Sequence, residues 1–287
     1  MAQGEELPVV FSVGSDQLVG IVHTTSSTAD IGVVVVVGGP QYRVGSHRQF
    51  VLLARALARV GVPVMRFDRR GAGDSDGSPR DFARIDQDIK AAIDEFVVSG
   101  GVSRVVLWGL CDAASAILMY ASTDSRVAGL VLLNPWVHSS AIEARVRFKT
   151  YYAGRLRSAE FWDKLRNFEI DLRDSISSLW RYARWATRFG RERERRSYPN
   201  FIERMRAGWL AYDGPVLLVL SGDDLSAAEF RELVNDSPEW KAMMQSKNPR
   251  TFEIADANHT FSSEQWRVAV ERETIAWIKQ LQRDSAP

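Results

Sequence analysis

Cysteine is nearly absent from this chain, which has a single one in 287 residues. One cysteine cannot form an intramolecular disulfide, and this scarcity fits a protein of a reducing compartment. Long apolar runs are also missing, because the longest aliphatic run, Val33 to Val37, is far too short to span a bilayer. The first six residues form neither a basic nor an apolar stretch, so we predict no signal peptide. These absences predict a soluble, cytoplasmic protein without a transmembrane segment.

Neither sign of charge dominates, since 37 Lys and Arg face 36 Asp and Glu, for a net charge of +1. This balance argues against a nucleic-acid partner. The four histidines show no metal-ligand spacing, and no phosphate-binding loop of the G-x-x-x-x-G-K-[ST] type occurs. We therefore predict no metal and no cofactor. Residues 141–210 are locally basic, with 17 basic and 9 acidic side chains. This excess would steer an anionic substrate or an acidic partner, or form a solvated helical face.

Eight apolar runs of strand length recur along the chain, and several are continuous rather than alternating. Continuous Val, Leu and Ile runs are typical of strands buried on both faces of a mainly parallel sheet. The runs are Val9–Val13, Leu18–His23, Gly32–Val37, Val62–Phe67, Arg104–Trp108, Gly129–Leu133, Pro215–Leu220 and Thr251–Ile254. Segments with apolar residues at helical spacing lie between them, at 50–60, 82–96 and 263–282. This alternation predicts an α/β fold with a doubly wound sheet.

Residues 139–213 interrupt the alternation of strands and helices. They contain no convincing strand, many arginines and four tryptophans, which are Trp162, Trp180, Trp185 and Trp209. We predict a helical cap insertion over an active site, between core segments 1–138 and 214–287. The alternative for the tryptophans is that they pack the insertion onto the core.

One predicted strand leads into Gly109-Leu110-Cys111-Asp112-Ala113, followed by a helix rich in small residues. This matches the context of the G-x-S-x-G nucleophile elbow, with cysteine for serine and alanine for the last glycine. A helix N-terminus favours the reactive thiolate of Cys111, whereas the neighbouring Asp112 disfavours it. We predict that Cys111 is a nucleophile, and the alternative is an ordinary buried cysteine.

A second motif, Val64 to Gly77, is similar to the D-x-R-G-x-G-x-S turn of serine-aminopeptidase-like and lipase-like proteins. We interpret its glycines as serving a tight turn, not catalysis. Together with the elbow, it makes the chain resemble the α/β-hydrolase superfamily over nearly its whole length outside the insertion. Trp108 to Ala116 resembles, more narrowly, the first of two hydrolase families associated with bacterial exosortase A systems. The resemblance implies the α/β-hydrolase fold and a bacterial cytoplasmic hydrolase of undefined substrate.

Partners for Cys111 should follow it in the order acid, then histidine. His259 comes after the last predicted strand and before the final helix, where the superfamily has its catalytic histidine. We predict that it is the base. Two adjacent aspartates, Asp223 and Asp224, follow the strand 215–220, and either would orient His259. The superfamily's spacing favours Asp224, which leaves Asp223 as a turn residue or helix cap.

An acyl-enzyme mechanism needs two backbone N–H groups to hold the oxyanion. Asp112 would supply one. The other should come from the loop Gly38-Gly39-Pro40-Gln41, which is similar to the H-G-G-P-G loop of prolyl-iminopeptidase-like proteins. Proline has no N–H, so we predict Gly39 as the donor and Gln41 as its substitute. The alternative is a plain tight turn. Arg43 and His47, which follow in the chain, are candidates for contact with the substrate.

These residues predict a hydrolase that cleaves an ester, a thioester or a related acyl bond of a small molecule through an acyl-cysteine. A thioester intermediate reacts with amines and thiols as well as with water. An acyltransferase is therefore the first alternative. The second is a non-catalytic ligand-binding protein on the hydrolase scaffold.

Overall fold

A single eight-stranded sheet organises the computed structural model, which describes residues 4–26, 29–137 and 201–284. The strands are β1 (Glu6–Val13), β2 (Asp16–His23), β3 (Ile31–Val36), β4 (Val64–Phe67), β5 (Arg104–Leu110), β6 (Val127–Leu133), β7 (Val216–Ser221) and β8 (Arg250–Ile254). Their order in the sheet is β1-β2-β4-β3-β5-β6-β7-β8. The pairs β1·β2 and β2·β4 are antiparallel, and all other pairs are parallel. Each of the eight predicted strands is confirmed.

Helices cover both faces of this sheet, as the continuous apolar runs predict. The helices are α1 (Gln49–Arg59), α2 (Asp86–Ser99), α3 (Asp112–Tyr120), α4 (Phe201–Ala211), α5 (Leu225–Asp236), α6 (Pro238–Lys247) and α7 (Glu264–Asp284). Side chains of α1 and α7 pack in one hydrophobic cluster, and those of α2 to α6 pack in another on the opposite face. The doubly wound α/β prediction is confirmed.

Strand β3 shows why these runs are not alternating. All six of its residues are buried. Val33 and Val35 belong to the cluster of α1 and α7, whereas Val34 and Val36 belong to the cluster on the other face. Since successive side chains of a strand point to opposite faces, a strand covered on both sides must be apolar at every position.

Only the end of the predicted insertion 139–213 lies within the described residues. There α4 packs directly on α3, where a Cβ at Gly208 would lie 2.1 Å from the carbonyl oxygen of Leu118. Trp209 is fully buried and meets Trp240 edge to face at 6.4 Å. For Trp209 the structure thus supports packing onto the core. The other three tryptophans of the predicted insertion lie outside the described residues.

The loops after β3, β5, β6, β7 and β8 all leave the same edge of the sheet, because these strands are parallel. In open α/β sheets this edge is where ligands bind. The fold therefore gathers the segments that follow Val36, Leu110, Leu133, Ser221 and Ile254. No helix in the described part of the chain is long and apolar enough to cross a membrane.

Candidate active site

Cys111 lies on a sharp turn between β5 and α3. Its backbone has φ 62° and ψ −125°, a conformation that costs a non-glycine residue roughly 1–3 kcal/mol. The turn brings strand and helix so close that a Cβ at Gly109 would lie 2.6 Å from the Cδ1 of Ile117. The Cys111 N–H donates to the carbonyl of Leu133 at 2.9 Å, which anchors the turn to β6. The thiol remains partly exposed. This is the geometry expected of a nucleophile elbow.

Asp224 and His259 form a hydrogen-bonded pair beside this turn. The Nδ1 of His259 lies 2.9 Å from the Oδ1 of Asp224, whose side chain is only 6% exposed. The other oxygen, Oδ2, accepts from the Ala227 N–H at 2.9 Å and caps α5. Burial acts to raise the pKa of Asp224, but the hydrogen bonds from His259 and Ala227 hold it below its usual value. Asp224 is therefore a carboxylate at neutral pH.

The ring of His259 connects this carboxylate to the thiol. Hydrogen bonds to Asp224 and Cys111 raise the pKa of His259 to about 10, against the opposing effect of burial. Because Nδ1 is directed at Asp224, Nε2 is the nitrogen left for Cys111. Asp223, by contrast, is exposed, and its backbone N–H donates to the carbonyl of Ala257 at 3.0 Å. We expected Asp223 to be a turn residue or a helix cap: it lies in a bend before α5, and the cap is supplied by Asp224.

Two buried side chains that the sequence did not single out fix the histidine loop. Asn134 is fully buried, and its Nδ2 donates to the Ser221 Oγ at 2.8 Å and to the His259 carbonyl at 3.2 Å. Its Oδ1 accepts from the Ser221 N–H at 2.8 Å. The Ser221 Oγ donates in turn to the carbonyl of Asn258 at 3.0 Å. The ends of β6 and β7 thereby hold His259 in register with Cys111. The available signal was an asparagine directly after a buried strand.

The predicted oxyanion donors differ in availability. Asp112 is the first residue of α3, where a backbone N–H has no intrahelical acceptor. The Gly39 N–H, however, donates to the Oδ2 of Asp112 at 2.9 Å. The substitute, Gln41, donates its N–H to the Gly38 carbonyl at 3.2 Å. The free second donor that we expected at Gly39 or Gln41 is therefore not free. The Gly39 N–H is bonded to the Asp112 side chain of α3, and the Gln41 N–H is bonded within its own loop.

Arg43 does not have the free charge that we expected of a substrate contact. Its guanidinium is paired with Asp68 and Asp74, and its backbone N–H donates to Asp68 at 2.6 Å. These contacts fasten the glycine-rich turn after β4, where a Cβ at Gly73 would lie 2.0 Å from the Oδ2 of Asp68. Arg43 is therefore a structural ion-pair partner. The turn's structural interpretation is supported. His47 is exposed, with φ 51°, just before α1.

An aromatic cluster contacts the backbone of Cys111 through one of its residues. The backbone N–H of Trp136 donates to the carbonyl of Cys111 at 3.3 Å. The Trp136 ring stacks on Phe201 at 5.2 Å, and Phe82 meets both rings edge to face at 5.3 and 5.4 Å. These rings belong to the hydrophobic cluster of α2 to α6, and the cluster is joined to Cys111 through the backbone. In residues 4–26, 29–137 and 201–284, no three His, Cys, Asp or Glu side chains are grouped to hold a metal ion.

Solved structures of the same fold include several enzymes. An esterase of Pyrococcus furiosus is similar with a TM-score of 0.66 and 15% identity, covering 97% of this chain and 91% of its own. The ferulic-acid-bound Est1E of Butyrivibrio proteoclasticus has a TM-score of 0.60 and 15% identity, with 94% and 99% covered. The hydrolase GrgF of Penicillium has a TM-score of 0.61 and 18% identity, with 97% and 98% covered. At these identities the likeness shows the fold.

At the level of sequence, the chain is similar to the polyketide transferase grgF of a Penicillium species. The two are 30% identical over 93 residues, which are 31% of this chain. The matched part spans only about a third of that protein's length, 32%. A far longer match is to the alpha/beta hydrolase family, whose sequence model matches residues 33–273. The matched range includes Cys111, Asp224 and His259, and it covers most of the chain. The chain therefore belongs to the alpha/beta hydrolase family.

Proposed function

We propose that this protein cleaves a small ester or thioester through a covalent acyl intermediate on Cys111. The observation that carries the proposal is the grouping of three side chains at one edge of the sheet. A partly exposed cysteine on a strained turn acts on the ring of His259 and raises its pKa, and the Asp224 carboxylate holds that ring at 2.9 Å. This is the arrangement by which enzymes activate a cysteine for attack on a carbonyl.

The reaction proceeds in two steps. The Cys111 thiolate attacks the carbonyl carbon, and the new C–S bond leaves an oxyanion beside the Asp112 N–H. The bond to the leaving group then breaks, and that group takes the proton of the His259 imidazolium. In the second step, water attacks the thioester and gives a proton to the neutral His259. The thiolate departs, a carboxylic acid is released, and the imidazolium is restored.

The raised pKa of His259 suits cysteine better than serine as the nucleophile. With a pKa of about 10, the ring is an imidazolium at neutral pH, a charge that would stabilise a thiolate formed at position 111. A serine hydroxyl, whose proton is far harder to remove, would instead need a neutral imidazole as its base. This charge state supports cysteine at position 111 as a functional choice.

The acyl group is predicted to be apolar. Trp136, whose backbone N–H donates to the Cys111 carbonyl at 3.3 Å, also contacts Phe82 and Phe201, and we take these aromatic residues next to the turn as the contacts of an acyl chain. One solved structure of similar fold is an esterase, and another, Est1E, holds ferulic acid, an aromatic acid, which supports an apolar acyl group here. An exosortase-associated hydrolase of the bacterial cytoplasm is the narrower proposal, and it rests on Trp108 to Ala116 alone.

Acyl transfer is the second candidate, and the polyketide transferase similarity favours it. A thioester on Cys111 would then pass its acyl group to an amine, a thiol or another acceptor instead of water. Both candidates use the same residues in the first step, and they differ only in what attacks the intermediate.

A partitioning experiment tests the two candidates together. Nitrophenyl esters of short, long and aromatic acids are offered with increasing hydroxylamine, and free acid and hydroxamate are both measured. Hydrolysis predicts mainly acid at low hydroxylamine, whereas transfer predicts that turnover requires the acceptor. Cys111→Ala is the matched control and should release nitrophenol no faster than buffer. Equal turnover by this variant would refute a cysteine nucleophile, and no turnover by either protein would favour a binding protein.

A further inference from the structure

Asp112 is placed where a substrate's oxygen should go. One predicted donor of the oxyanion site is its own backbone N–H, and the other is the Gly39 N–H, which donates to the Asp112 Oδ2 at 2.9 Å. The Ala113 N–H at the start of α3 also favours the charged form of this carboxylate and acts to lower its pKa. The side chain thus bridges the loop after β3 and the helix that begins at the nucleophile.

The space around this carboxylate is built to hold it. A Cβ at Gly38 would lie 1.9 Å from the Oδ1 of Asp112 and 2.8 Å from the Ala113 nitrogen, so any side chain at position 38 would expel the carboxylate. Oδ1 is inaccessible to solvent and has no hydrogen-bond partner among residues 4–26, 29–137 and 201–284. One oxygen is therefore well bound and the other is not, and burial raises the pKa of Asp112. The carboxylate is therefore held in place, but burial disfavours its negative charge.

In this position the Asp112 carboxylate should slow the acylation of Cys111. A carboxylate next to Cys111 repels both the thiolate and the oxyanion that forms on attack. It also occupies the Gly39 N–H, and losing one oxyanion donor typically lowers kcat by about 10² to 10³. Arg69, whose Nη2 donates to the Gly39 carbonyl at 2.7 Å, holds the loop in place whether or not Asp112 is bound.

We infer that the Asp112 carboxylate is an internal occupant of the oxyanion site, which an acyl substrate must displace before Cys111 is acylated efficiently. This inference rests on the proposed function. It makes Asp112 a selectivity residue: substrates that bind tightly enough to move the carboxylate gain the Gly39 donor, and adventitious esters do not. The resting thiol is thereby protected from small electrophilic carbonyls.

Two reactions of the same thiol separate this inference from a simple effect on thiol reactivity. Acylation by a nitrophenyl acetate forms an oxyanion, whereas alkylation by iodoacetamide displaces iodide and forms none. The ratio of the two rate constants at Cys111 therefore reports the oxyanion site alone. Asp112→Ala removes both the charge and the acceptor. Asp112→Asn removes the charge but keeps an oxygen for the Gly39 N–H, and it is the matched control.

The expected result is that Asp112→Ala raises the acylation-to-alkylation ratio on the order of tenfold, below the full value of one oxyanion donor. Asp112→Asn should leave the ratio within about twofold of wild type, although both absolute rates rise. Asp112→Ser, whose hydroxyl stops short of Gly39, should behave as Asp112→Ala and guards against a folding defect of that variant. Circular dichroism of each variant verifies the fold.

An unchanged or lowered ratio in folded Asp112→Ala and Asp112→Ser, with wild type still acylated, would overturn the internal occupant and leave the proposed function intact. If iodoacetamide labels Cys111 but no ester acylates any variant, the proposed function itself fails, and the inference fails with it.

Discussion

Replacing Asp224 with asparagine tests how the ring of His259 is held. The substitution keeps an oxygen that can accept from Ala227 and cap α5, but it removes the negative charge from His259. The pKa of His259, about 10 in the native protein, should then fall toward its unperturbed value of about 6.5. Above pH 7 most of the positive charge on the ring would then be lost. In addition, the amide group can favour the wrong tautomer of the ring.

The size of the expected fall in kcat follows from the loss of the Asp224 charge. We expect kcat to fall by roughly 10³ to 10⁴, as is typical when the acid that orients a catalytic histidine is neutralised. The stability of Asp224→Asn should stay close to that of wild type, because the cap remains. Asp224→Ala loses the cap as well and should unfold about 1 kcal/mol more easily, with equally low activity.

The assay is the pre-steady-state release of nitrophenol across pH 5 to 10, with urea unfolding of each variant in parallel. Asp223→Asn is the matched control. It should behave as wild type because this side chain is exposed and, within the described part of the chain, only the backbone of Asp223 is hydrogen-bonded. A kcat of Asp224→Asn within threefold of wild type would refute this account of His259. A large loss in Asp223→Asn would transfer the role to the neighbouring residue.

Three further predictions follow from other contacts. Cys111→Ser should hydrolyse esters at least about tenfold more slowly at pH 7 but gain activity as the pH rises, since serine needs the neutral form of His259, whose pKa Asp224 still raises; a pH-independent rate would contradict this. Asn134→Ala leaves a buried Ser221 N–H unpaired and should destabilise the protein by about 2–3 kcal/mol in urea unfolding and lower kcat, and a change below about 0.5 kcal/mol would contradict it. Buried His23 accepts from Arg66 at 2.8 Å, and burial and that charge lower its pKa to about 4. Because the unfolded chain takes up this proton near pH 6.5, stability should decline by up to about 3 kcal/mol from pH 7 to pH 4, and His23→Gln should decline less. Equal declines would refute the assignment to His23.

Much of the fold is predictable because burial on both faces leaves a local trace. A strand such as β3 must be apolar at every position, so its run of valines is visible without any knowledge of its partners. The nucleophile elbow is visible for a similar reason: the close approach at Gly109 demands small residues at fixed spacing. Asp224 could be favoured over Asp223 only from the superfamily's spacing, since both follow the same strand.

Other features of the site depend on contacts between segments that are distant in sequence. Asn134 reaches Ser221 across 87 positions, and no local pattern marks either as a support for His259. The Asp112 side chain accepts from the Gly39 N–H across 73 positions. From the sequence, this N–H was predicted to be a free donor. The charge of Arg43 looks available in the sequence and is neutralised only once Asp68 folds against it. Which distant residue a side chain contacts depends on the folded chain, so these contacts could not be predicted from local sequence patterns.

The central claim is that Cys111 carries the acyl group. The most direct measurement is rapid-quench intact-protein mass spectrometry with an activated ester, followed by peptide mapping of the adduct. The account predicts one acyl mass per chain, located on Cys111, that disappears as free acid or an acceptor product is formed, and no adduct in Cys111→Ala. A stoichiometric acyl adduct on another residue, or turnover without any adduct in Cys111→Ala, would contradict it.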